Sequence, residues 1–222
     1  MGYGISLKVF GDYACFTRPE MKVERVSYDV ITPSAARGII EAIYWKPAIR
    51  WIIDKIHVMN EIKFTNVRRN EIEIQKNNIS ASIIKIIDGQ DLKLFQNTSD
   101  AKIRQQRASM ILKDVCYIIE AHFEMTDQSG EEDTVEKHYN IALRRLRKGQ
   151  CYFQPYFGNR EFAANFQQTK DEILPGFYCG KGEIDLGWML WDLDFKNDMS
   201  PIFYRALMKD GMIEVKDLLK AR

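Results

Sequence analysis

The longest alternating run of the chain covers residues 110–125, and it constrains the fold more than any other segment. Apolar side chains occupy most positions of one parity, while Asp114, Glu120 and His122 belong to the other. Such a period of two is typical of a β-strand, because successive side chains point to opposite faces of a sheet. The run predicts a long strand that carries Lys113 on one face and His122 on the other.

Two helices are predicted on either side of this strand. Residues 32–47 form the first, since Thr32 can cap its N-terminus, Pro33 suits the first turn, and Pro47 ends it. Residues 131–148 form the second, with acidic side chains in the first turn and basic ones in the last. Gly149 follows the second helix and suits its C-cap.

Shorter β-rich runs predict strands at residues 5–10, 50–59, 61–70 and 151–157, and the middle two read as a hairpin or as adjacent strands. The order of elements is then strand, helix, strand, strand, insertion, strand, helix, strand. This order predicts an α+β fold with a ferredoxin-like domain, similar to an RNA-recognition motif, over residues 1–158. Residues 71–102 lose the pattern and are predicted to form an inserted hairpin or excursion.

Residues 159–222 predict a second, small antiparallel β domain. Residues 160–170 read as a loop, and residues 184–195 and 202–208 read as strands. The dipeptide Asp210-Gly211 follows the second of these strands and is a strong hairpin-turn signal.

Composition excludes several classes of protein. The net charge of +1 does not identify a nucleic-acid binder by itself. The four cysteines form no CxxC or Cys/His cluster, so the sequence predicts no zinc site and no disulfide framework, and a reduced, cytoplasmic protein is expected. Neither a leader nor a membrane-span-length apolar run is present, and P-loop, GxSxG and HExxH motifs are absent. We therefore expect no cofactor, no metal and no membrane partner.

Tyr44 is the strongest catalytic candidate. It lies at the predicted helix end beside Trp45 and Lys46, where a phenol could orient or deprotonate a ribose 2′-hydroxyl if cations lower its pKa from about 10. Packing is the competing interpretation of an aromatic residue at a helix end. Lys113 either snorkels at a sheet edge or supplies charge to a reacting phosphate. His57 and His138 have no metal-ligand partner at a suitable spacing and read as structural.

Several basic and aromatic residues are candidates for RNA contacts. Arginines before or after a strand can bind phosphates, which take most protein–nucleic acid hydrogen bonds, and exposed aromatic rings can stack on unpaired bases. Solvated strand ends and core packing are the alternatives. The predicted RNA-binding set is Arg37, Lys46, Arg68, Arg69, Arg104, Arg107, Tyr156 and Arg160.

Six strings of the sequence, in order, resemble one family. They are IYWKP at 43–47, FTNVRRNEI at 64–72, RQQR and LKDVCYIIEA within 104–121, GQCYFQPYFGNREF at 149–162 and GWMLWDLDF at 187–195. Together they resemble the subtype I-C CRISPR-associated Cas5 proteins of the RAMP superfamily. The resemblance spans almost the whole chain and implies the same ferredoxin-like domain, insertion and C-terminal β domain.

The resemblance also implies a function. Proteins of this family cleave precursor CRISPR RNA at the base of the repeat hairpin without a metal, by attack of a 2′-hydroxyl on the adjacent phosphate. They then stay on the 5′ handle within a surveillance complex, beside its backbone and large subunits, and a contact with target DNA in that complex is left open. The alternative is a non-catalytic subunit that only holds the handle.

In the family pattern, a tyrosine after the first helix works with a lysine and a histidine that are neighbours in sequence. Tyr44 matches the tyrosine, but no Lys-His dipeptide precedes the long strand of this chain. The cation is therefore assigned to Arg107 or Lys113, and the general acid to water or His122.

Overall fold

The computed structural model describes residues 3–21, 23–72, 104–169, 173–194 and 197–215. These residues fall into two compact units. The first is built from residues up to Thr65 and from Met110 onward, and the second runs from Asn66 to Ser109. Most of the predicted insertion at residues 71–102 lies outside the described residues. The predicted boundary between residues 158 and 159 stays a prediction.

Within the described residues the chain forms eight strands and two helices. In chain order they are β1 (Gly4–Ala14), α1 (Pro33–Ile43), β2 (Ile49–Val58), β3 (Phe64–Ile72), β4 (Arg104–Met125), α2 (Val135–Lys148), β5 (Asn165–Gln168), β6 (Glu183–Asp194), β7 (Ser200–Lys209) and β8 (Met212–Glu214). The α+β class predicted from the sequence is confirmed.

The strand predicted at residues 110–125 is confirmed as β4, which pairs with β1, β2 and β3. The strand order is β5-β1-β4-β2-β8-β7-β6, and β3 also pairs with β4. All ladders with a recorded register are antiparallel, and Tyr117 lies opposite both Val9 of β1 and Val58 of β2. The strand is longer than predicted because it begins at Arg104, which gives it room for neighbours along both edges.

The helix ends follow their sequence signals. Thr32 caps α1 by accepting a hydrogen bond from the Ala35 N–H at 3.2 Å, and Thr134 caps α2 by accepting from the Lys137 N–H at 3.2 Å. Gly149 ends α2 with φ of +62°, the left-handed conformation that glycine adopts without strain. Helix α1 packs against β2 and β6, and α2 packs against β5 and α1.

Three local predictions are wrong. The runs at 50–59 and 61–70 do not form a hairpin, because β2 and β3 both pair with β4. Residues 151–157 form no strand, since the N–H groups of Tyr152 and Phe153 donate to the Ala42 carbonyl at the end of α1. The strand next to β1 is instead β5, within the segment that the sequence assigned to a loop.

Helix α2 begins four residues later than predicted. The acidic residues before it form a turn, in which the Gly130 N–H donates to the Asp133 carboxylate at 3.1 Å and the Asp133 N–H donates to the Gly130 carbonyl at 3.0 Å. An Asp side chain that binds nearby backbone groups competes with helix formation, so the helix starts only after Thr134.

The C-terminal strands are antiparallel, as predicted. Asp210 and Gly211 have φ angles of +49° and +84° at the turn between β7 and β8, which confirms the predicted hairpin. Strand β8 also pairs with β2, so these strands continue the central sheet. Among the described residues, neither helix is long and apolar enough to cross a membrane.

Candidate active site

Tyr44 leaves the end of α1 with its side chain directed into the core. It has an extended backbone, with φ of −152°, and its N–H donates to the Ile40 carbonyl. Its own carbonyl accepts the indole N–H of Trp51 from β2 at 2.8 Å. Both hydrogen bonds fix the backbone on either side of the phenol, and the residue is only 2% exposed.

The Tyr44 phenol contacts His138, a histidine for which the sequence predicted a structural role. Tyr44 Oη lies 2.6 Å from His138 Nδ1, and His138 belongs to the first turns of α2 and is 2% exposed. The edge of the imidazole packs against Phe123 of β4, with ring centroids 6.4 Å apart. His138 follows Lys137 directly, so the chain does contain a Lys-His dipeptide, after the long strand rather than before it. That dipeptide is the signal that could have identified the pair.

An acidic loop lies against this pair. Lys137 Nζ donates to the Glu132 carbonyl at 3.1 Å and lies 3.5 Å from Asp133 Oδ1. The same carboxylate oxygen is 3.2 Å from His138 Nε2, but the two are not aligned for a hydrogen bond, and that buried nitrogen has no hydrogen-bond partner. A carboxylate therefore occupies the space beside a lysine, a histidine and a helix N-terminus, a combination that attracts anions.

The electrostatic surroundings of Tyr44 differ from the sequence expectation. Burial raises the pKa of its phenol, the nearby Arg145 opposes this rise, and Asp133 adds to it. The condition set for a reactive phenol, a pKa lowered by cations, is therefore not met, because loss of hydration outweighs the guanidinium charge. A hydrogen bond joins the phenol to His138 Nδ1, and a protonated phenol can donate to that nitrogen.

A groove lies beside the pair, between α1, the segment 152–158 and β6. Its volume is about 910 Å³. Arg145 links the groove to Tyr44, because its guanidinium lies 5.1 Å from the centre of the Tyr44 ring and donates to the Ile43 carbonyl at 2.6 Å. The aromatic and basic residues that line the groove are Trp45, Tyr152, Phe153, Tyr156, Arg37, Lys46 and Arg145.

Two other predicted catalytic residues of the first unit, His122 and Lys113, lie away from Tyr44. His122 binds Asp54 through Nδ1 at 2.8 Å, and it points away from the sheet face on which its neighbour Phe123 contacts His138. Lys113 lies nine positions before His122 on β4, roughly 30 Å away along the strand. Arg107 belongs to the other compact unit, where it contacts Gln105 at 2.8 Å and lies 3.7 Å from Glu71. The catalytic roles of these three residues stay predictions.

The predicted RNA-binding residues are divided between the two units. Arg68, Arg69, Arg104 and Arg107 belong to the second, and Arg37, Lys46, Tyr156 and Arg160 to the first. Lys46 is exposed and lines the groove, Tyr156 lines it half-buried, and Arg160 is exposed in the following turn. Arg107 lies beside the Glu71 carboxylate, at 3.7 Å.

Arg37 is engaged within the protein. Its Nη2 donates to Asp192 of β6 at 2.8 Å, its Nη1 forms a second ion-pair contact with that carboxylate, and its Nε lies 3.4 Å from Glu41. Burial opposes the charge of the guanidinium, but the hydrogen bond and charge of Asp192 raise the pKa of Arg37. This residue connects α1 to β6, so its predicted contact with RNA competes with two carboxylates.

Replacement of Arg37 tests which role dominates. We expect Arg37→Gln to lower the free energy of unfolding by about 1–3 kcal/mol, because it leaves the half-buried Asp192 carboxylate without its cation. Urea denaturation measures this loss. Arg205→Gln is the matched control, since Arg205 pairs with Asp185 on an exposed surface and should matter much less. A stable Arg37→Gln variant with weakened RNA binding would instead support the predicted RNA contact.

The α+β fold places a Tyr–His pair and a lysine next to an aromatic, basic groove. These features define a candidate RNA-binding or RNA-processing protein. Comparisons with known proteins agree with this class. A family model for Cas5d, described as "CRISPR-associated protein (Cas_Cas5)", matches residues 4–216. The chain belongs to the Cas5d family.

Two relatives support the assignment. The CRISPR pre-crRNA endoribonuclease Cas5d of Mannheimia succiniciproducens is 50% identical over 222 residues, covering 97% of this chain and 96% of that protein. The CRISPR pre-crRNA endoribonuclease Cas5d of Thermus thermophilus is 37% identical over 230 residues, covering 95% and 90%.

Two solved structures share the fold. A crystal structure of a CRISPR-associated protein has a TM-score of 0.68 at 25% identity and covers 96% of this chain and 91% of that one. The functionally uncharacterized protein SMU1763c of Streptococcus mutans has a TM-score of 0.67 at 23% identity with the same coverage, which supports the fold alone.

Proposed function

We propose that this protein is a metal-independent endoribonuclease that cleaves precursor CRISPR RNA at the repeat hairpin and then stays on the 5′ handle in a surveillance complex. The observation that carries the proposal is the 2.6 Å contact between Tyr44 and His138, next to Lys137. Tyr44, Lys137 and His138 are the residue types of the family pattern, a tyrosine after the first helix with a neighbouring lysine and histidine, although here the Lys-His pair follows the long strand. The relatives named pre-crRNA endoribonucleases support the substrate.

The reaction needs a proton acceptor, a proton donor and a charge that stabilises the phosphate. A ribose 2′-hydroxyl loses its proton as its oxygen bonds to the adjacent phosphorus, and the 5′-oxygen leaves with a proton, giving a 2′,3′-cyclic phosphate and a 5′-hydroxyl. The imidazole of His138 can give a proton to the leaving 5′-oxygen, and a water molecule can take the proton of the 2′-hydroxyl. Tyr44 holds the imidazole Nδ1, and Lys137 offers a positive charge to the phosphate.

The acidic loop sets a condition for this reaction. Asp133 lies between Lys137 and His138 Nε2, the position that a phosphate must approach. A bound RNA phosphate would therefore replace the Asp133 carboxylate beside the lysine. The exchange keeps the charge beside Lys137 balanced, because one anion replaces another next to the same cation.

A second candidate function is a non-catalytic subunit that only holds the 5′ handle. The observation that favours it is the burial of both Tyr44 and His138, each only 2% exposed. In that case the pair would stabilise the junction of α1 and α2, and another protein would process the RNA. The two functions differ in whether the isolated protein cuts RNA.

We further infer a ferredoxin-like domain built from β1, α1, β2, β4, α2 and β5. Its support is the antiparallel order β5-β1-β4-β2, in which each helix connects strands that are not neighbours. The C-terminal β domain stays part of this proposal, with its boundary after β5 rather than at the residue 159 expected from the sequence. So does a cytoplasmic location, since the four cysteines carry free thiols, which a reducing compartment preserves. The backbone and large subunits of the complex are its proposed partners.

The test of the function is a cleavage assay with purified protein, a subtype I-C repeat hairpin and excess EDTA. We expect one cut at the base of the hairpin, with a 2′,3′-cyclic phosphate on the upstream product and a 5′-hydroxyl on the downstream product. Mass spectrometry of both products identifies the ends. An intact hairpin under single-turnover conditions, with RNA binding retained, would favour the non-catalytic function.

A further inference from the structure

The groove beside the active site exposes three aromatic rings in a small area. Tyr152 is 82% exposed, Trp45 is 51% exposed and Phe153 is 48% exposed. Tyr152 and Phe153 are held in place by their backbone, because both N–H groups donate to the Ala42 carbonyl, at 2.9 and 3.3 Å. Their rings pack edge to face, with centroids 6.0 Å apart. Fixed backbone with exposed rings is typical of a surface that binds a ligand.

The charge of the groove favours an anion. Arg37 is balanced within the groove by Asp192 and Glu41. Lys46 and Arg145 remain as its cationic members. Lys46 is exposed, and the Arg145 guanidinium donates to the Ile43 backbone carbonyl. Aromatic rings combined with cations match the bases and phosphates of a single-stranded nucleic acid.

The groove also lies at a suitable distance from the proposed reaction. Arg145 follows His138 by seven residues on α2, which places both on the same side of the helix about 10 Å apart. The Arg145 guanidinium also lies over the Tyr44 ring, 5.1 Å from its centre. A nucleotide in the groove would therefore be near the scissile phosphate but separate from it.

From these observations we propose that the groove is a subsite for unpaired nucleotides of the RNA substrate next to the cleaved bond. The bases stack on Trp45, Tyr152 and Phe153, and the phosphates contact Lys46 and Arg145. The inference rests on the proposed function, since it assigns the substrate of the same site. Double-stranded RNA does not fit this role, because its bases are stacked on one another and cannot cover the rings.

Equilibrium binding of a short fluorescein-labelled oligoadenylate tests the subsite. We expect the double variant Tyr152→Ala/Phe153→Ala to weaken binding at least about tenfold, because stacking on each ring contributes about that factor. Tyr152→Phe should retain the affinity, since it keeps the ring. Trp188→Ala is the matched control, because Trp188 is 66% exposed on β6 and does not line the groove.

Salt dependence tests the phosphate contact in the same assay. We expect Lys46→Gln to reduce the slope of log K against log salt by about 0.7, the value for one phosphate contact with a single strand. An RNA duplex of the same length should bind with an affinity that the Tyr152→Ala/Phe153→Ala change leaves unaltered.

The outcomes separate the subsite from the function. Unchanged oligoadenylate affinity in the double variant overturns the subsite, even if the wild-type protein cleaves the repeat hairpin in EDTA. Conversely, lost affinity supports the subsite even if the wild-type protein does not cleave. If the double variant binds RNA normally but no longer assembles with the other complex subunits, the groove is a protein interface and the inference is wrong.

Discussion

His138→Ala should lower the single-turnover cleavage rate of a repeat RNA by roughly 10²- to 10⁴-fold, the contribution typical of one general acid–base group. Tyr44→Phe should lower it by roughly 10- to 100-fold, because it removes the hydrogen bond that holds the imidazole but keeps the ring. The phenol lies 2.6 Å from His138 Nδ1, so the loss is specific to one hydroxyl. Rates are measured in EDTA with saturating protein, so that binding does not limit them.

Of the three histidines of the chain, His122 provides the control. His122→Asn changes a histidine that binds Asp54 on the opposite face of the sheet, and it should leave the cleavage rate within about twofold. RNA affinity should be unchanged in all variants. Since His138 is buried, thermal denaturation and the volume-retaining His138→Gln variant show whether a lost rate reflects lost folding. Full activity of folded His138 variants would contradict the mechanism, and loss in His122→Asn would restore His122 as the acid.

Gly158→Ala should destabilise the protein by about 3–5 kcal/mol, near the upper end for a single substitution. Gly158 has φ of +78°, and a Cβ atom there would overlap the Cys15 carbonyl oxygen and lie 2.7 Å from its carbonyl carbon. The neighbouring backbone cannot move away easily, since the Cys15 N–H donates to the Phe157 carbonyl at 3.0 Å and so fixes the two segments together. Urea denaturation followed by tryptophan fluorescence measures the loss.

Gly180→Ala separates the two causes of this effect. Gly180 has φ of +73°, but a Cβ atom there would meet nothing within 4 Å. We expect it to cost about 1–2 kcal/mol, the strain of the left-handed conformation alone. Equal losses at both positions would mean that the close approach of Gly158 to Cys15 contributes nothing.

Local signals predicted the elements that depend on neighbours in sequence. Alternation identified β4, Thr32 and Pro33 identified the start of α1, and Asp210-Gly211 identified the β7–β8 turn. The errors occurred where a segment chooses between distant partners. Residues 151–157 have the composition of a strand, but the N–H groups of Tyr152 and Phe153 donate to the Ala42 carbonyl. No local pattern could indicate this distant partner.

The features of the candidate site also divide into those that local sequence signals indicate and those that depend on distant contacts. Sequence by itself determined the family pattern, the position of Tyr44 at a helix end and the presence of aromatic and basic residues around it. Only the tertiary structure decided which histidine meets the tyrosine, because Tyr44 and His138 are 94 positions apart and become neighbours when α1 and α2 pack on one face of the sheet. It also decided that burial raises the phenol pKa, since hydration of a side chain depends on what the fold places over it.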